Sequence, residues 1–136
     1  MKAKIKRAAG SIAYGWAIWN LRGVYFEAEH HGVWEKRSGE LVDLTPQMNG
    51  YKKILFLPDP GAPYNPQTFR SNRMSADGDN PVALRFVEKS LQRNRIIDSY
   101  RGVGVEQTYL TPNDQRKVDD LLQELQELLT ELLASR

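Results

Sequence analysis

From Thr111 onward the chain reads "TPNDQRKVDDLLQELQELLTELLASR", and one backbone conformation suits it far better than any other. Thr111 is placed to cap a helix, and Pro112 takes the first helical position, where no amide hydrogen is needed. Asp114 follows three residues after the cap, as in a capping box. Val118, Leu121, Leu122, Leu125, Leu128, Leu129 and Leu132 then recur at heptad positions a, d, e, a, d, e and a. This spacing gathers them on one broad helix face, with Asp119, Asp120, Glu124, Glu127 and Glu131 mostly away from it. So wide a leucine face must be buried, either by the rest of the chain or by a second copy. Val118, Leu121, Leu125, Leu128 and Leu132 are the seam of a homodimer in the second case, which the sequence leaves even with burial inside the chain.

What precedes this helix reads as antiparallel β structure. "SIAYGWAIW" (11–19) is aromatic and apolar, "NLRG" (20–23) is a turn, and "VYFEAEHHGVW" (24–34) returns. "LVDLTP" and "KKILFLP" (52–58) complete four strands in meander order, the last expected to be buried. Parity puts Trp16 and Trp19 on opposite sides of their strand, so one of the two rings could be exposed. Residues 58–80 are proline-rich and without periodicity, a long loop on which Tyr64 and Phe69 are the candidate contact side chains. Asn80 then caps a second helix with Pro81 at its first position. Val82, Leu84, Val87 and Leu91 give that helix its apolar face. "VEQTYL" (105–110) is a candidate short strand.

The expected fold class is α+β: a small twisted antiparallel sheet of about four strands with two helices, the C-terminal one long and leucine-faced. At 136 residues one domain is expected, with residues 1–110 as its body and 111–136 as its terminal helix. The composition, 40% hydrophobic and 26% charged, is that of a globular chain and excludes a disordered one. Basic residues open the chain without an apolar signal core behind them, and no stretch is long enough to span a membrane, so a cytoplasmic location is expected. With no cysteine, disulfides and thiolate zinc sites are excluded.

The stretch "EAEHHGVWEKRSGELVDLTP" (27–46) concentrates polar chemistry. A three-residue loop Arg37-Ser38-Gly39 pairs Lys36 with Glu40 and Trp34 with Val42. In that register Tyr25, Glu27, Glu29, His31, Val33, Leu41, Asp43 and Thr45 share one face, while Phe26, Ala28, Trp34, Val42 and Leu44 form the core side. His31 and Asp43 become diagonal cross-strand neighbours, within reach of a hydrogen bond; a one-residue slip would part them. Glu27, Glu29, His31 and Asp43 would suit a hard divalent metal, but an alternating polar set is also what any solvated sheet face shows, and no metal or cofactor is assigned. His30 points to the opposite face, where it is expected to stack or hydrogen-bond at the core edge and not to bind a ligand.

The block "GWAIW…EAEHHGVW…GELVDLTP" resembles an uncharacterised bacterial and phage-associated protein family. It is similar, more distantly, to the His/Asp half of transglutaminase-like and papain-like cysteine enzymes, over roughly residues 11–60. The resemblance implies His31 as general base, Asp43 as the carboxylate that orients it, and Trp34 as the motif aromatic, one place later than usual. It departs where the chemistry starts, because such enzymes use a cysteine on an upstream helix and this chain has none. Ser11 lies upstream, but at a strand start without the surroundings of an oxyanion hole.

Three functions follow as expectations. The first is a non-catalytic protein-interaction domain, of phage or mobile-element origin by resemblance, that binds a host protein through Glu27, Glu29 and Trp34 or through Tyr64 and Phe69. The second is a hydrolase or transferase of transglutaminase-like architecture using His31 and Asp43. The third is nucleic-acid binding through a basic ridge of Arg85, Lys89 and Arg93. Residues 1–110 carry 16 Lys/Arg against 11 Asp/Glu, a mild excess and no dense basic stripe.

Overall fold

The computed structural model describes residues 9–45, 53–101 and 109–135. The protein is α+β, with strands β1 (Gly10–Leu21), β2 (Tyr25–Lys36), β3 (Leu41–Val42), β4 (Leu55–Pro58) and β5 (Arg73–Ala76). Two helices follow, α1 (Pro81–Asp98) and α2 (Pro112–Ala134). The candidate strand at 105–110 falls largely outside the described residues.

β1 and β2 form a long hairpin whose tip is fixed by polar contacts. The Val24 amide donates to the Leu21 carbonyl at 2.9 Å, and Gly23 takes φ +79°, a conformation that side chains disfavour. The Asp77 carboxylate accepts from the Gly23 amide at 2.9 Å and from Asn20 Nδ2 at 3.2 Å. Those hydrogen bonds, the Gly23 one foremost, hold the Asp77 carboxyl below its ordinary range.

The strand order is β3-β2-β1-β4, with β5 paired to β2. Only β1 to β3 therefore run as a meander. β4 returns to the free edge of β1, pairing Trp16 with Leu57 and Ile18 with Leu55 in antiparallel register. The reason is length: β3 has two residues and offers little edge to extend, whereas β1 has twelve. β4 is also not the buried strand that its apolar sequence suggests, since Leu55 is 67% and Leu57 58% exposed. The proline-rich stretch is likewise not wholly irregular. Its β5 alternates exposed Arg73 and Ser75 with half-buried Met74 and Ala76.

The chain divides into two compact units. The sheet unit comprises residues 1–19 and 28–65, and the helical unit residues 20–27 and 66–136. In the sheet unit Trp16, Ala17, Val33 and Ala62 are buried. Trp19 is half-buried, so neither of these two tryptophans displays its ring.

In the helical unit Val24, Ala83 and Leu132 form the core, with Leu21, Tyr25, Val82 and Phe86 packed around them. Tyr25 and Phe86 stack at 5.6 Å between centroids. Asn80 caps α1, its side chain accepting from the Val82 amide at 2.9 Å. The face that α1 buries is Ala83, Val87 and Ser90, while Leu84 lies on the outside, 49% exposed. Of the expected face Val87 is buried and Val82 and Leu91 are half-buried, while the small side chains of Ala83 and Ser90 take the contact position expected of Leu84. Thr111 caps α2 as expected, accepting from the Asp114 amide at 3.2 Å.

Most of the α2 leucine face is covered within the chain. Val118, Leu125, Leu128 and Leu132 are buried and Leu121 is half-buried, as α2 packs on α1. The candidate dimer seam is thus largely used inside the helical unit, which leaves Leu122 and Leu133 exposed at its border.

Candidate functional site

The hairpin joining β2 to β3 adopts the register its loop dictates. Trp34 pairs with Val42, the Lys36 amide donates to the Glu40 carbonyl at 2.9 Å, and Gly39 takes φ +87°. Lys36 Nζ also meets Glu40 Oε2 at 2.7 Å. This register places His31 Nε2 2.9 Å from Asp43 Oδ1. The two side chains are only 17% and 13% exposed. The Thr45 amide donates to the same Asp43 oxygen at 3.0 Å.

Burial by itself pushes the Asp43 carboxyl up. The hydrogen bonds from His31 and the Thr45 amide outweigh it, and the carboxyl lies below its ordinary value of 3.8. Asp77 is lowered in the same direction. A carboxyl with a lowered folded pKa contributes stability that is complete above the unfolded value and is lost as pH falls through the folded one. Denaturant midpoints are therefore expected to fall as pH drops from about 5 towards 3, and Asp43→Asn to flatten part of that fall. A midpoint independent of pH over this range would contradict the pairing.

The faces of β2 are not divided as the alternation suggests. Val33, on the face read as solvated, is 2% exposed, and Phe26, on the face read as core, is 42% exposed. Because the surroundings of Val33 are packed, a polar side chain two residues away must find a partner, and Asp43 supplies it. This accounts for the His31–Asp43 pair without any reaction.

Glu29 is exposed, and Glu27 is half-buried against a recess in the helical unit. Among the described residues no group of three or more His, Asp and Glu is arranged to hold a metal ion. Trp34 is half-buried, with Lys36 Nζ 5.8 Å from its ring centroid. Gly10 leaves it room, since a Cβ there would lie 2.3 Å from Trp34 Nε1.

His30 stacks and hydrogen-bonds at the core edge, as expected, but sequence reasoning did not name its partners. Trp16 Nε1 donates to Asp59 Oδ2 at 3.0 Å, and the Asp59 amide donates to the Tyr14 carbonyl at 2.9 Å. His30 Nε2 donates to the Ala62 carbonyl at 2.6 Å. The His30 ring stacks on Tyr14 at 6.1 Å and meets Trp16 edge-on at 5.5 Å, and Tyr14 stacks in turn on Tyr64 at 6.4 Å. The proline-rich segment is thus fastened to the sheet at Asp59 and Ala62 and leaves Tyr64 55% exposed. The available signal was "DPGA" (59–62), an acidic turn directly after a strand whose length lets it reach back to His30.

In the helical unit Phe69 is 53% exposed, with the Arg101 guanidinium 4.4 Å from its ring centroid. Arg85 meets Glu124 at 2.9 Å and Lys89 meets it at 3.7 Å, so the basic ridge of α1 is partly neutralised by α2. Arg93 lines the recess in place of a solvent-facing ridge.

No family model, curated protein or solved structure matches the chain. No helix among the described residues is long and apolar enough to cross a membrane.

Proposed function

We propose that the protein is a non-catalytic interaction domain that binds a partner protein along β4 and the segment that follows it. One observation carries this reading: Leu55, Leu57 and Tyr64, within ten residues, are 67%, 58% and 55% exposed. Leu55 and Leu57 share one side of a strand that ends the described strand order. Such an edge offers a partner main-chain hydrogen bonds and apolar side chains together. Isolated surface leucines need no explanation, but a row of them on a sheet edge does. A phage or mobile-element origin, with a host protein as partner, is supported by the sequence resemblance alone.

The second reading is a transglutaminase-like enzyme, favoured by the 2.9 Å contact between His31 and Asp43. A carboxylate-oriented imidazole is half of a nucleophilic mechanism, and the absence of cysteine removes the other half. The His31–Asp43 pair is then structural. Its hydrogen bond contributes about 1 kcal/mol.

Affinity capture from cell lysate with quantitative mass spectrometry separates the two. Wild type and His31→Ala are expected to enrich the same protein, and Leu55→Glu/Leu57→Glu to lose it at unchanged thermal stability. Enrichment unaffected by the double substitution would sink the edge reading. Turnover of a substrate that vanishes in His31→Ala would install the enzymatic one.

A further inference from the structure

On the reading of β4 as the binding edge, we propose that the partner docks by strand addition. Its docking element is an extended segment with aliphatic side chains at alternate positions and a carboxylate beside them, and its backbone pairs with Phe56. The pairing of β4 with β1 determines which main-chain groups are on offer. Gly15, Trp16, Ala17 and Ile18 pair with Pro58, Leu57, Phe56 and Leu55, and the Asp59 amide donates to the Tyr14 carbonyl at 2.9 Å. In an antiparallel ladder, residues whose N–H and C=O point to the neighbouring strand alternate with residues that point away. Asp59 points toward β1, so Leu57 and Leu55 do as well, and Phe56 and Pro58 turn the other way. Among the described residues no strand pairs with that far side.

Phe56 is therefore the residue of β4 that offers both an N–H and a C=O outward. Pro58 has a carbonyl but no amide hydrogen, and it closes the ladder at that end. The two faces of the edge differ. Leu55 and Leu57 are 67% and 58% exposed, whereas the Phe56 ring packs over Gly15, its Cζ 2.9 Å from a Cβ built there. The ring anchors the strand, and the two leucines are left for the side chains of an added strand. A helix or a folded surface laid over the leucines brings no unpaired main chain and buries the Phe56 amide and carbonyl without partners, which is costly. An extended segment satisfies both groups. Charge narrows the partner further. Lys53, just before β4, is exposed, while both Asp59 oxygens are occupied, by Trp16 Nε1 at 3.0 Å and by the Gly61 amide at 3.1 Å. The charge left open at this edge is positive, and a carboxylate on the partner complements it.

The test titrates an end-capped peptide of alternating valine and threonine between two glutamates into the protein, with amide exchange read residue by residue by NMR. In the free protein the Leu57 amide is expected to exchange slowly and the Phe56 amide near the open-chain rate. Saturating peptide is expected to slow Phe56 at least about tenfold. Phe56→Pro removes the outward amide and spares the ladder to β1. It is expected to bind at least about tenfold more weakly than Phe56→Ala, which loses the same ring and keeps the amide. Exchanging the peptide's glutamates for lysines is expected to weaken binding to wild type. Equal affinity of Phe56→Pro and Phe56→Ala, an unchanged Phe56 exchange rate, or no binding of the peptide at all would overturn strand addition. None of these touches the edge reading itself, which stands or falls with capture by Leu55→Glu/Leu57→Glu. The wild-type exchange rates decide the matter by themselves should Phe56→Pro fail to fold.

Discussion

Leu132→Ala is expected to destabilise the helical unit by about 2–5 kcal/mol, the largest effect of any single truncation in α2. Leu132 is 4% exposed and meets Val24 and Ala83, which are 1% and 0% exposed. One neighbour is an alanine on a helix and the other a valine at the hairpin tip, so neither side chain can swing in to fill the space left behind. The lost transfer free energy and the cavity therefore add. Leu133, next in sequence and 45% exposed, is the control: Leu133→Ala is expected to change stability by less than about 0.5 kcal/mol. Denaturant unfolding of the two variants checks this. Equal effects would mean that α2 presents a different face to the core.

Gly15→Val is expected to destabilise the sheet unit by about 1–3 kcal/mol and to abolish partner capture with it. A Cβ built at Gly15 lies 2.1 Å from the Leu57 carbonyl oxygen and 2.9 Å from Pro58 Cα. Both are backbone atoms, so no rotamer change relieves the clash, and the pairing of Gly15 with Pro58 must open. β4 is the strand that displays Leu55 and Leu57, so what is lost locally is the proposed binding edge. Thermal unfolding gives the stability change, and the capture experiment gives the functional one. A Gly15→Val protein of wild-type stability that still captures its partner would contradict both the register and the proposal.

Local chemistry was the legible part of this sequence. The caps at Asn80 and Thr111, the turn at Gly39 and the pairing of Trp34 with Val42 each follow from a few adjacent residues, and the His31–Asp43 contact follows from that register. What depends on distant partners was not legible. "ILFL" reads as buried because it is apolar, yet its burial is decided by which strand it joins and what covers it. The seam Val118–Leu132 reads equally well as a dimer face or an internal one, because the periodicity is the same and only the presence of α1 distinguishes them. Arg93 reads as the wet side of a helix, and its place in the recess depends on β2 and β5, far off in sequence. For the same reason the His30–Ala62 and Trp16–Asp59 contacts, spanning 32 and 43 residues, were signalled by no more than the "DPGA" turn, which does not name the residues it meets.

The most direct test of partner recognition is amide hydrogen exchange across β4, with and without the captured partner. Slowed exchange at residues 55–57 on complex formation, with the hairpin around His31 and Asp43 unchanged, is the result expected of a partner docked on this edge. Protection confined to the His31–Asp43 hairpin, with 55–57 exchanging as in the free protein, would contradict it.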